Sequence, residues 1–215
     1  MLDLGTTLLG AAERYPDREA VVDGATRWTY GGWFECVRQV AGGLVEAGLS
    51  PGDHLVIVLK NRWQMAALHW ACQLVGVIAT PINWRAKSEE IDFVLRDADA
   101  KAVAFEMSTE ITVKEAASAH FITSIAVSGD GDLSLDDLIA SKPVTVAGRA
   151  RAEDMSVMLY TSGTTGLGKG VPRSHQAERA AAMAHIVQNG YRLGERTLGV
   201  MPLYHTMGIR SLLSM

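Results

Sequence analysis

Residues Leu159–His175 read LYTSGTTGLGKGVPRSH and hold the densest set of residues able to do chemistry in the chain. Thr161, Ser162, Gly163, Thr164, Thr165 and Gly166 follow an apolar run, Ser156–Tyr160, and Lys169 stands just beyond them. Glycines let backbone amides turn toward an oxyanion, hydroxyls add donors, and a lysine adds a point charge. That combination suits a bound polyphosphate. A flexible Gly/Ser linker has a similar composition, but this stretch is tight, follows a strand directly and ends on a lysine. Gly163 to Lys169 also satisfies the first seven positions of a phosphate-binding P-loop, GxxxxGK. The eighth position should carry the magnesium-binding hydroxyl and is Gly170 instead, and Val171 and Pro172 follow where a helix should begin.

The other polar clusters read as structural. His175 opens a predicted helix as a structural or capping residue. His54, His69, His120 and His185 show no partner spacing, and there is no HExxH, so no metal site is predicted. His205, in MPLYHTMGI, reads from its neighbours as a loop histidine between Tyr204 and Met207. The run Asp130, Asp132, Ser134, Asp136 briefly matches a calcium loop, but Leu135 stands where glycine is required and Ser141 where glutamate is, so an acidic solvated turn fits better.

Alternating periodicities define the elements that must carry these residues. Helices are predicted over Leu2–Tyr15, over the stripe Trp33, Val37, Val40, Ala41, Leu44, Val45 with Thr29 as its cap, and over Arg62–Val75. Further helices follow at Ser88–Asp97 capped by Ser88, Thr109–Ala117 and His175–Asn189. Strands are predicted at Ala20–Val22, Arg27–Tyr30, His54–Leu59, Val77–Pro81, Ala102–Phe105, Ile122–Val127, Met155–Tyr160 and Thr197–Met201. Alternation of this kind predicts an α/β fold with a layered, mostly parallel sheet flanked by helices. Lys142–Asp154 is a polar connector where a subdomain boundary could fall. Ile209–Met215 is apolar and uncapped, as in a helix only beginning, so the chain reads as cut short.

Composition bounds the function. With 215 residues, 48% of them hydrophobic and 20% charged, the chain can bury a substantial core. A net charge of −4 without a basic block argues against nucleic acid as a partner. Cys36 and Cys72 lie far apart outside any CxxC pattern, and MLDLGTT lacks a basic n-region, so a reducing cytoplasm is the expected compartment. Trp63–Trp84 carries no charge, but its polar interruptions and Pro81 fit a buried helix and strand better than a membrane span.

YTSGTTGLGKGV, Tyr160–Val171, resembles the signature [ST]SGTTGxPKGV of the adenylate-forming enzymes, the superfamily of acyl- and aryl-CoA synthetases, luciferases and peptide-synthetase adenylation domains. Gly168 replaces the usual proline before the lysine, a change that should loosen the loop. The resemblance spans nearly the whole chain. RWTYGGWFECVRQVAGGLVEAGLSPGDHLVIVLKNRWQM is similar to the family's opening, although Gly32-Trp33 replaces its E-L pair. QLVGVIATPINWRAKSEEIDFVLRDADAKAVAFE is similar to its next block, and MPLYHTMGI to its P-L-[FY]-H-x-x-G element.

The resemblance implies that Thr161, Ser162, Gly163, Thr164, Thr165 and Gly166 wrap the β- and γ-phosphates of ATP. Lys169 would hold those phosphates or the departing pyrophosphate, and His205 would border the acyl pocket. The implied reaction is carboxylate attack on the α-phosphorus, giving acyl-AMP and pyrophosphate, followed by attack of the CoA thiol. Small-molecule carboxylate, ATP with magnesium, and CoA are then the partners. The family's Y-G-x-T-E element, its ribose-binding aspartate and its small C-terminal domain would lie beyond Met215. The magnesium ligand would lie there too. Residues 1–215 are therefore expected to be an incomplete N-terminal domain of a carboxylate–CoA ligase, binding nucleotide weakly and not turning over alone. A naturally short, non-catalytic nucleotide-binding or interaction module and a peptide-synthetase adenylation domain are the alternatives.

Overall fold

The computed structural model describes residues 3–145, 150–161 and 168–214. A hairpin of β1 (Glu19–Asp23) and β2 (Thr26–Thr29) stands apart from a seven-stranded sheet. In chain order the sheet strands are β3 (His54–Val58), β4 (Ile78–Pro81), β5 (Ala100–Phe105), β6 (Thr123–Ala126), β7 (Leu133–Ser134), β8 (Met155–Thr161) and β9 (Lys169–Ser174). Their spatial order is β7-β6-β5-β3-β4-β8-β9; every pairing is parallel except the antiparallel β8–β9 edge. The predicted fold class is the observed one. The sheet takes strands from both sides of the polar connector at 142–154.

The helices are α1 (Leu4–Arg14), α2 (Tyr30–Glu46), α3 (Trp63–Val75), α4 (Ser88–Asp97), α5 (Glu110–Glu115), α6 (Leu135–Ala140), α7 (His175–Asn189) and α8 (Thr206–Leu213). The central strands are buried on both faces, which is why they read as continuous apolar runs. Leu55, Ile57 and Leu59 pack with Ala102, Ala104, α2 and α3 on one face. Val56 and Val58 pack with Val103, Phe105 and the apolar sides of α4 and α5 on the other.

Local signals explain several boundaries. Thr29 Oγ1 accepts from the Gly32 amide at 3.2 Å, the predicted cap of α2. Helix α3 ends on Gly76 at φ +75°, the left-handed region glycine reaches without strain. The uncharged stretch from Trp63 resolves into α3 and β4, and no helix among the described residues is long and apolar enough to cross a membrane.

Other expectations need correction. Ser88 is the first residue of α4 and not its cap; the Glu90 carboxylate accepts from the Lys87 amide instead, at 2.8 Å. Val45 is 37% exposed and stands off the α2 stripe. The helix expected at Thr109–Ala117 splits into α5 and a 3₁₀ turn at Ala117–Phe121. Strand β9, strand β7 and helix α6 were not predicted. Thr197–Met201 is not a strand: Leu198 and Val200 are 82% and 69% exposed, and the segment joins no sheet.

Candidate active site

Parallel strands end together, and loops at their carboxyl ends are where such sheets carry sites. Strand β8 ends at Thr161 and β9 begins at Lys169, directly opposite in register, so both predicted residues stand at the carboxyl edge beside β4. The Thr161 hydroxyl lies 3.5 Å from the Lys169 carbonyl oxygen. Ser162, Gly163, Thr164, Thr165 and Gly166 lie outside the described residues. The flanks alone separate this turn from a P-loop: Lys169 opens an antiparallel strand, whereas a P-loop lysine opens a helix. Gly168 has a positive reason to be there. A Cβ at this position would come within 2.6 Å of the Thr161 carbonyl oxygen, so only glycine lets the two strand ends approach this closely. The end of β8 is tied down as well. Tyr160 donates to Asp97 on α4 at 2.7 Å, and burial together with that carboxylate pushes the phenol pKa up.

The second segment, Pro202–Gly208, is brought to the same edge by a residue the sequence reading did not single out. Asn61 follows β3. Its amide nitrogen donates to the Gly199 and Met201 carbonyls at 3.1 and 2.8 Å, and its oxygen accepts from the Leu203 amide at 2.9 Å. One side chain that both donates and accepts thus holds a segment lacking secondary structure. The available signal was an asparagine directly after a buried strand. His205 is the residue before α8; it is exposed, its ring centroid is 4.5 Å from that of Tyr204, and its carbonyl starts the helix by accepting from Ile209. The H-x-x-G spacing has a steric cause: the first turn of α8 lies so close to Pro202 that a side chain at Gly208 would overlap the Pro202 carbonyl.

Charged groups surround this edge. The Arg62 guanidinium pairs with buried Glu106 at the end of β5, and Ser108 donates to the same carboxylate at 3.0 Å. Trp84, just after β4, lies 4.7 Å from Lys60 Nζ and 4.0 Å from Arg85 Cζ, a cation on an aromatic face in each case.

His175 is fully buried, and its Nδ1 accepts from the Leu4 amide at 3.2 Å, joining α1 to α7 in the structural role the sequence indicated. The acidic run does not face a common point: Asp132 accepts from Ser124, Asp130 pairs with Lys114, and Ser134 caps α6 with Asp137. Among the described residues no three His, Cys, Asp or Glu side chains are grouped to hold a metal ion.

The chain matches the AMP-binding enzyme family over residues 9–215. It belongs to that family. It is 29% identical over 214 residues to a 2-succinylbenzoate–CoA ligase of Bacillus licheniformis, an alignment covering 99% of this chain and 42% of the relative. It is 26% identical to the long-chain-fatty-acid–CoA ligase FadD13 of Mycobacterium tuberculosis, over 99% of this chain and 43% of that one. The fold matches ATP-bound MatB from Rhodopseudomonas palustris with a TM-score of 0.87 at 24% identity, over 99% of this chain and 42% of that chain. The chain spans less than half the length of each of these three proteins.

Proposed function

We propose that the chain is the N-terminal part of an ATP-dependent acid–thiol ligase and carries the polyphosphate side of its adenylation site. The observation behind this reading is the facing pair Thr161 and Lys169, held at the carboxyl edge by the β8–β9 ladder, with the hydroxyl- and glycine-rich residues 162–167 as the connection between them. In this reading Thr161, Ser162, Gly163, Thr164, Thr165 and Gly166 donate to the β- and γ-phosphates of ATP. Lys169 sets a positive charge against the oxygen charge that develops on departing pyrophosphate. Amide donors and a fixed cation are worth most where charge accumulates in the transition state. The substrate carboxylate attacks the α-phosphorus, the bond to the β-phosphate oxygen breaks, and acyl-AMP and pyrophosphate result.

No protein nucleophile is needed; positioning and charge neutralisation carry the step. His205, with its exposed ring beside Tyr204, borders the acyl group. Magnesium accompanies ATP, with its protein ligand assigned beyond Met215. CoA is the acceptor proposed here, because the relatives described above are CoA ligases. The compartment proposed is the cytoplasm. The chain alone binds nucleotide weakly and does not turn over, since Thr161–Lys169 supplies only one side of the site.

Carboxylate-dependent ATP–pyrophosphate exchange tests the reading, run with a panel of aliphatic and aromatic acids on this chain and on its reading frame extended to relative length. Exchange in the extended protein, lost in Lys169→Ala, is the expected result. Exchange by the 215-residue chain alone would overturn the one-sided assignment. Silence of a full-length protein with every acid would overturn the ligase reading.

A further inference from the structure

Three elements meet behind the candidate site in a buried ionic cluster that neither phosphate nor acyl binding uses. Arg173 is on β9, four residues after Lys169, and its side chain is 19% exposed. Its guanidinium pairs through Nε with Glu178, on the first turns of α7, whose side chain is 1% exposed. A second nitrogen of the same guanidinium donates to the Thr206 hydroxyl at 3.3 Å. Thr206 is the first residue of α8 and follows His205 directly. Burial pushes the Glu178 carboxyl pKa up, and the charge of Arg173 opposes that shift. Arg210 Nε has no hydrogen-bond partner among the described residues.

Charge removed from water is costly, and a buried carboxylate persists only where cations and donors compensate it. Here the compensating cation comes from β9, and the same guanidinium reaches α8 through Thr206. The strand that begins at Lys169 and the helix that follows His205 are thus joined through one guanidinium. An apolar contact could slide; a guanidinium that pairs with a buried carboxylate and donates to a hydroxyl on a second element ties the two through one charged group.

We propose that Arg173, Glu178 and Thr206 form a clasp that sets α8, and with it His205, against the strand opened by Lys169. Arg173 and Glu178 are positioning residues for the site, an assignment that rests on reading Lys169 and His205 as its phosphate and acyl sides. The clasp is separate from the Asn61 contacts, which hold Gly199, Met201 and Leu203 and do not reach the helix.

Amide hydrogen exchange on the 215-residue chain tests the clasp. Glu178→Gln is expected to speed exchange over residues 202–213 by about tenfold or more while β3 and β5 stay within about twofold, as local opening predicts. Glu178→Gln could unfold more than α8, so Arg173→Met/Glu178→Leu is the second variant. An apolar pair of similar volume restores global stability to a buried ion pair's site. It cannot hold Thr206, so residues 202–213 should still exchange fast although the thermal midpoint recovers. Recovery of both midpoint and protection would overturn the proposal, because packing alone would then position the helix. Unchanged exchange over 202–213 in both variants would overturn it as well. Pyrophosphate titration of the same variants separates the two readings. Loose α8 with no pyrophosphate binding in any chain, wild type included, leaves the clasp standing and removes the phosphate assignment. Pyrophosphate binding with a firmly held α8 in the variants does the reverse.

Discussion

Residues 54–126 and residues 155–214 are built on different principles, although they share one sheet. In the first region strands and helices are held by apolar contact: Leu55, Val56, Ile57, Val58, Val103 and Phe105 are each 0% exposed. In the second, a few polar contacts add to the apolar packing of Val157, Ile209 and Leu212, through Asn61, His175, Arg173 and Glu178. Val157, Leu159, Ile209 and Leu212 there join the main core, but Met183, Val187, Leu193 and Leu198 point outward, between 55% and 82% exposed. A hydrophobic core tolerates exchange among its parts as long as volume is kept. A polar contact between two segments is specific to one geometry. The lesson is that the stable framework and the placement of the site are separable properties of this chain.

The widest separation between the regions should come from a core truncation. Phe105→Ala removes a fully buried ring between β5 and α4 and is expected to cost about 3–5 kcal/mol in urea unfolding. A loss under about 1 kcal/mol would mean that the core framework is not the principal source of stability.

The next effect depends on pH. His69 on α3 is buried, and neither ring nitrogen has a hydrogen-bond partner among the described residues. Burial, aided by the nearby charge of His175, lowers its pKa to about 3. The folded state therefore binds this proton less readily than the unfolded chain, whose histidine titrates near about 6.5. Its stabilising contribution is complete above the unfolded pKa and is lost as pH falls toward the folded value. Between about pH 6 and 4 the wild type should lose about 1 kcal/mol per pH unit more than His69→Leu. Parallel pH dependence in the two proteins would contradict this.

Gly208→Ala sharpens the contrast from the other side. A methyl at this position meets the Pro202 carbonyl, and overpacking costs about 1–3 kcal/mol. The damage should be confined to α8, seen as faster exchange over residues 202–213 with β3 unchanged. The smallest effect belongs to Asn61→Ala. Its side chain is exposed, so the loss of global stability should be about 1 kcal/mol or less. Amide resonances of residues 199–203 should nevertheless shift most. A uniform shift across the sheet would break the claimed separation.

The same division governs what the sequence reveals. The strands at His54, Val77 and Ala102 and the helix α3 follow from apolar runs and period alone, because burial on both faces writes itself into composition. Strand β9 escaped prediction because KGVPRS carries a proline, a glycine and two cations; it is an edge strand, where such residues are tolerated. Helix α6 was missed because its Ser134–Asp137 capping box sits inside an acidic run that invited comparison with a metal loop. Thr197–Met201 has strand composition but pairs with no strand among the described residues. Thr161 and Lys169 are singled out as candidates by residue type and motif. Asn61, Arg173 and Glu178 were not, since their partners lie between 5 and 142 residues away and no local pattern links them.

The central claim is that the segment connecting Thr161 and Lys169 holds a polyphosphate. Its most direct test is a titration of this chain with magnesium pyrophosphate and with ATP, followed through the amide resonances of Thr161 and Gly168–Val171. The account predicts weak, saturable shifts centred on those residues for both ligands, abolished in Lys169→Ala without change in the β3 and β5 signals. Absence of any shift at millimolar ligand, or shifts that survive Lys169→Ala undiminished, would contradict it.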